Sequence, residues 1–315
     1  MFNRASPNQV VNPTTGVVTY VRNPILPICT AAQLATPKFP CSSSLFIGYW
    51  SGINTTYTGL LAKVDRRFSN GLQFTGSYAF SRYTNNVNVT ATSISMLNLY
   101  ETAGIAGNDI PHRFTLSGYY EIPAYKGDSR MLRALTNSWQ IGLISDIRSA
   151  PPLNANIGID LDGDGVSRTL LPGIPWNGFG RGYSADDIRK AVDQFNATYP
   201  TPDINATNKK RTPLNQVIPL IKLPDNFSSG DPFFSQDVRL TRLIRIRERV
   251  TISLIAEAFN VFNIANLTSY GSGLNSLVPA GQAQSLTFGQ PGDRVNQIFG
   301  TGGPRAYQFA VRISF

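Results

Sequence analysis

Strict alternation of apolar and polar residues recurs along this chain, and it constrains the fold more than any other feature. It is plainest at the end, YQFAVRISF. Tyr307, Phe309, Val311, Ile313 and Phe315 take every second position, with Gln308, Ala310, Arg312 and Ser314 between them. Successive side chains of a β-strand point to opposite faces. The stretch therefore predicts a strand with one apolar, aromatic-tipped face and one mostly polar face. Other segments read the same way. In TGLLAKVDRRF, Leu60, Ala62, Val64 and Phe68 oppose Lys63, Asp65 and Arg67. Ser69–Gly71 supplies a hairpin turn, because Asn and Gly accept positive φ. LQFTGSYAF sets Leu72, Phe74, Gly76, Tyr78 and Phe80 against Gln73, Thr75, Ser77 and Ala79.

RFTLSGYYEI places Phe114, Leu116, Gly118, Tyr120 and Ile122 opposite Arg113, Thr115, Ser117, Tyr119 and Glu121. SWQIGLISDIR places Trp139, Ile141, Leu143 and Ile147 opposite Gln140, Gly142, Asp146 and Arg148. FSQDVRLTRLIRI and VTISLIAEAFNVF flank a short turn at Arg247–Arg249, the second setting Val250, Ile252, Leu254, Ala256 and Ala258 against Thr251, Ser253 and Glu257. These make seven strands, and GVVTYVR (Gly16–Arg22) is a weaker eighth candidate. Arg242 breaks the pattern by falling on the apolar side of its strand. A bulge that resets the register, or a position near a membrane interface, would accommodate it.

The connections alternate in length. They run short (69–71), long (about 83–112), intermediate (about 124–137), very long (about 149–233), short (247–249) and long (about 263–304). A sandwich has no reason to sort loop length by end. An outer-membrane barrel does, since its periplasmic turns are short and its extracellular loops long. Each segment also approaches the roughly 9–11 residues that a tilted strand needs to cross a bilayer. On this reading the apolar face meets lipid. The lumen-facing set is Lys63, Asp65, Arg67, Arg113, Glu121, Asp146, Arg148 and Glu257. The fold expected is all-β: an antiparallel transmembrane β-barrel segment of seven or eight strands in a meander, with long extracellular loops and one short loop helix. That helix is placed at 185–197, where Ser184 is the N-cap, Asp186 and Asp187 lie in the first turn, and Ile188, Val192 and Phe195 form one stripe. Residues 1–53 form an N-terminal loop region, and 54–315 the barrel part.

Composition narrows the function. Only 15% of the 315 residues are charged, and no run of about 18 apolar residues encodes a membrane-crossing helix. The start MFNRASPNQV lacks the apolar core of a signal peptide. The net charge is +9, but its densest cluster, Arg239 to Arg249, sits inside an alternating strand rather than on a basic element interleaved with aromatics, so nucleic acid is not an expected partner. Cys29 and Cys41 bracket a polar loop and suit a disulfide in an oxidising compartment, with two unpaired thiols as the alternative. His112 is the sole histidine, so neither a zinc site nor a catalytic triad is expected, and His112 reads as a polar loop residue. No catalytic residues and no cofactor are predicted. DLDGDG presents Asp160, Asp162 and Asp164 before Gly165, the opening of a calcium loop, but Leu171 stands where the bidentate Glu belongs. A solvated Asp/Gly turn is the alternative.

YTGLLAKVDRRFSNGLQFTGSYAFSR followed by DIPHRFTLSGYYEIP resembles the barrel of TonB-dependent receptors, in particular those with an N-terminal carboxypeptidase-regulatory-like domain. The likeness continues through DLDGDG, FFSQDVRLTRLIRIRERVTISLIAEAFNVFN and YQFAVRISF. The resemblance implies a barrel of about 22 strands with a plugged lumen, taking up nutrients on energy passed by TonB. Plug, TonB box and most strands have no counterpart here, so the chain is expected to be the C-terminal third of such a barrel. Its partners would be outer-membrane lipid, the rest of the barrel and plug, TonB through the N-terminal part only, and the barrel-assembly machinery. The resemblance makes Tyr307, Phe309, Val311, Ile313 and Phe315 the signal read by that machinery. Two other readings stand beside it. One is a self-contained eight-stranded porin or adhesin barrel, which needs Gly16–Arg22 to pair with Tyr307–Phe315. The other is a secreted calcium-binding β-sandwich.

Overall fold

The computed structural model describes residues 7–11, 18–22, 52–87, 102–159, 161, 169–199, 218, 220–247, 250–274, 286–297, 299–300 and 302–315. Strand β1 (Pro7–Val11) pairs with β2 (Val18–Arg22) in a separate antiparallel hairpin. The main sheet contains β3 (Thr55–Ser69), β4 (Leu72–Asn85), the two-residue β5 (Gly104–Ile105), β6 (His112–Glu121), β7 (Trp139–Arg148), β8 (Phe233–Arg247), β9 (Val250–Phe259) and, after β10 (Leu267–Tyr270) and β11 (Pro291–Arg294), β12 (Ala306–Ser314). β10 and β11 form their own hairpin. The long strands lie in the order β3-β4-β6-β7-β8-β9-β12, each antiparallel to the next, with β5 attached to β4. This is the expected meander, and no helix among the described residues is long and apolar enough to cross a membrane. The eighth candidate strand pairs with β1. Among the described residues the free edges of β3 and β12 carry no partner.

The turns follow from backbone preference. Between β3 and β4, Asn70 and Gly71 have φ of 54° and 79°, the left-handed pair that matches the twist of a hairpin. A side chain at Gly71 would also press on the Glu121 carbonyl, 2.9 Å from where its Cβ would stand. One register shift was not legible in the alternation. Arg66 pairs with Phe74 and Ser69 with Leu72, so Arg67 and Phe68 together oppose Gln73. This bulge moves Phe68 from the expected apolar face to the polar one, where its ring stacks on Tyr119 at 5.8 Å. Arg66, opposite Phe74, stands on the apolar face before the bulge, and Ser69, opposite Leu72, after it.

The apolar face is open. Leu60 is 64% exposed, Val311 66% and Phe309 79%, and no second sheet covers them among the described residues. A sandwich buries that face, so the β-sandwich alternative does not describe this fold. The buried apolar residues lie instead in the long connections. Helix α2 (Ala185–Thr198) turns Ile188, Val192 and Phe195 inward. They join Ile157, Leu171, Leu274 and Phe288 in one core drawn from the β7–β8 and β9–β12 connections. A second helix, α1 (Arg130–Thr136), occupies the β6–β7 connection, where only one loop helix in the chain had been expected. Its apolar stripe is too short, at seven residues, to be recognised from periodicity.

Candidate functional site

The polar face of the sheet carries the charged residues singled out in the sequence, and the register explains how they are satisfied. Lys63 lies 2.9 Å from Asp65, which also accepts from the Thr75 hydroxyl at 2.8 Å, its cross-strand partner. Gln140 donates to its partner Glu121 at 2.8 Å. Arg239 donates to its partner Glu257 at 2.7 Å. Arg113 and Arg148 are direct partners, an unfavourable like-charge pair. The conflict resolves sideways: Arg113 reaches diagonally to Asp146 at 3.4 Å, and the Arg148 guanidinium lies 4.2 Å from the centre of the Phe233 ring. Arg67 sits in the β3 bulge on this same face. A cleft of about 720 Å³ runs along the face beside Gln73, Thr75, Tyr119, Gln140, Arg239 and Glu257.

Arg242 remains on the apolar face. Its ladder is unbroken from Trp139↔Arg242 to Arg148↔Phe233, and the nearest irregularity falls beyond it, between Arg245 and Arg247. The resolution is position rather than register. Its partner Trp139 is the first residue of β7, so Arg242 lies at the short-turn rim, where an outward arginine costs only about 0–1 kcal/mol. It donates to the carbonyl of Ala134 in the last turn of α1, and its guanidinium lies 5.3 Å from the Trp139 ring. His112 is also placed differently from expectation. It opens β6 on the apolar side, 5.1 Å from the Phe80 ring, with Nδ1 2.8 Å from the Tyr78 hydroxyl.

At the opposite rim the three long connections are knit into one cap. Asp109, 1% exposed, accepts from Arg181 Nε at 2.7 Å. Arg181 also donates to the carbonyls of Asp109 and Ala150, both at 2.7 Å, while the second Asp109 oxygen accepts the Tyr83 amide at 2.7 Å. One ion pair thus joins the β4–β6 connection, the β7–β8 connection and the top of β4. Asn177 adds a bond to the Ile105 carbonyl at 2.6 Å. Asn260 and Asn266 hold the β9–β12 connection. Asn260, at φ 45°, donates to Ile264 and Gly303 carbonyls and accepts the Ile264 amide. Asn266 donates to the carbonyls of Phe234 and Gly302 and accepts the Phe234 amide. The repeated Asn of EAFNVFNIANL is the only sequence signal for this arrangement, since Asn tolerates a left-handed backbone. Within the cap, hydrogen bonds from the Ser184 amide and hydroxyl hold the Asp187 carboxyl below the usual range. Burial, with a hydrogen bond to Asp231, pushes the Tyr270 hydroxyl up to about 12.

Tyr307, Phe309, Val311 and Ile313 stand on the apolar face of β12, opposite Ala258, Ala256, Leu254 and Ile252, and Phe315 follows, almost wholly exposed. Asp160, Asp162 and Asp164 lie outside the described residues, as do Cys29 and Cys41. No curated protein and no solved structure matches the chain. A family model for an outer membrane beta barrel domain matches residues 2–308. An open apolar face, strands long enough to span a bilayer and loops sorted by end agree with that match: the chain belongs to this outer-membrane β-barrel family, whose place is the bacterial outer membrane.

Proposed function

We propose that the chain forms the C-terminal part of the wall of a TonB-dependent outer-membrane receptor, a non-catalytic importer of nutrients. The observation that carries this reading is the pair of long edge strands. β3 and β12 span 15 and 9 residues, and each hydrogen-bonds on one side only among the described residues. In lipid an open edge leaves a row of backbone groups without partners, so a wall of this kind needs further strands. The cap supports the reading too, because interlocked outer loops present a fixed surface to a ligand. Lys63, Asp65, Arg67, Arg113, Glu121, Asp146, Arg148 and Glu257 then face the lumen and its plug. Tyr307 to Phe315 then serve as the assembly signal, and TonB acts through the N-terminal part of the receptor.

The reading is tested by a disulfide across the edges. In a C29S/C41S background, cysteines replacing Ala62 and Val311 are introduced, and the protein is oxidised in outer membranes. The expected result is no bond between the two positions within one chain, each being shielded by strands of the remaining wall. An intramolecular bond would show that β3 meets β12 and that the barrel closes on itself, which sinks the receptor reading in favour of a small porin or adhesin.

A further inference from the structure

We propose that α1, together with Trp139 and Arg242, is a binding site for anionic phospholipid headgroups on the outside of the barrel at its short-turn end. The inference depends on the outer-membrane placement of the family and not on the receptor reading.

The position of the helix carries the argument. Two side chains of the apolar face bind its last turn: Arg242 donates to the Ala134 carbonyl, and the Trp139 indole N–H donates to the Leu135 carbonyl at 2.8 Å. The helix is therefore fastened to the outer side of the wall, not folded under the sheet toward the polar face. Its connection is braced at both ends, with the Ile122 amide donating to the Trp139 carbonyl at 2.9 Å and the Tyr125 amide to Asn137 Oδ1 at 2.7 Å. No residue of α1 is buried. Met131, Leu132 and Leu135 share one stripe by helical spacing and all stand exposed, while Arg130 and Arg133 lie on the opposite side. In water this arrangement would expose three large apolar side chains for no return. At the edge of a bilayer they enter the acyl boundary while the arginines stay among headgroups.

Charge selects the occupant. On the apolar face of the long strands, the described charged residues are Arg66 and Arg242 at the short-turn rim and Arg82 at the other. Lys126, Arg130 and Arg133 add to the short-turn side, against the single carboxylate of Asp128 in that connection. Arg242 spends one of its donors on Ala134 and keeps others for a phosphate oxygen. Trp139 beside it is the side chain that bilayer interfaces favour. A phosphodiester headgroup supplies both the anion and the adjoining hydrocarbon that this surface presents sites for.

The test uses the full chain in phosphatidylcholine vesicles with and without phosphatidylglycerol. Quenching of Trp139 fluorescence by headgroup-labelled lipid is read as the difference between the protein and its W139F variant. Labelled phosphatidylglycerol should quench in clear preference to labelled phosphatidylcholine. That preference should fall about fivefold for each cation removed in R242Q, R130Q and R130Q/R133Q. The last two variants change side chains that stand off the sheet, so a far-ultraviolet circular dichroism spectrum equal to that of the parent verifies that their strands are intact. Excess inorganic phosphate should not relieve the quenching. Equal quenching by the two lipids, full preference retained in R130Q/R133Q, or relief by phosphate would each overturn the proposal. So would capture of a second copy of the chain, in place of lipid, by a photocrosslinker at position 132.

Discussion

The residues that matter most here are those whose surroundings reverse an ordinary expectation. Arg242 looks like an error on an apolar face, yet it caps a helix and stacks on an indole at a rim where arginine is tolerated. Phe68 looks like a lipid-facing aromatic, yet the bulge turns it onto Tyr119. Tyr270 gives this scale a measurable consequence. Its hydroxyl is raised to about 12 by burial and by Asp231, so the neutral form is favoured in the folded cap. The folded value exceeds the unfolded one of about 10, so the stabilisation is complete below about pH 10 and is lost as pH rises through the folded value. Tyrosinate absorbance should show one tyrosine titrating near pH 12, and Y270F should remove that lagging step. A step unchanged in Y270F would assign it elsewhere.

At the scale of elements, the long strands divide most of the chemistry between two faces, and β12 offers the simplest comparison. Phe309 stands on the apolar face opposite Ala256, one rung further from the short-turn end than Arg242, while its neighbour Ala310 points to the polar face opposite Ile255. F309R places a cation in the hydrocarbon near the middle of the strand and should cost roughly 2–4 kcal/mol, while A310R should cost far less. Denaturant titration of folding into vesicles measures both. Equal costs would mean that the two faces of β12 meet the same surroundings. The helices divide in the same way. α2 was legible from its Ser184 cap, its acidic first turn and its buried stripe. α1 was not, because its apolar residues bury against nothing in the protein and its seven residues are fixed by Trp139 and Arg242 from elsewhere in the chain.

For the whole molecule, the packed core and the membrane wall are separate things. The wall presents its large apolar side chains outward, and the core sits in the cap, where Phe179, Phe227 and Phe288 cluster with ring centres 5.4–5.8 Å apart. Asp109 ties the cap together and to β4. D109A leaves the Arg181 guanidinium without its carboxylate and frees the Tyr83 amide, and should weaken the cap by roughly 3–5 kcal/mol. Hydrogen exchange should then show faster exchange at Leu153, Ile157 and Leu171, with the strands β6, β7 and β8 unaffected. Loss of protection in those strands would mean that cap and wall unfold as one. The sequence by itself determined the seven long strands, their order, the sorting of loops by end and, the β3 bulge apart, their two faces. Each of these follows from a local period of two and from turn residues within a few positions. Only the tertiary structure decided what the loops do with one another. Asp109 and Arg181 are 72 residues apart and share no pattern, and the cap core is assembled from connections whose hydrophobic residues follow no common period. The same holds for the outward helix: alternation shows that a strand has an apolar face, but only the assembled wall shows what stands against it.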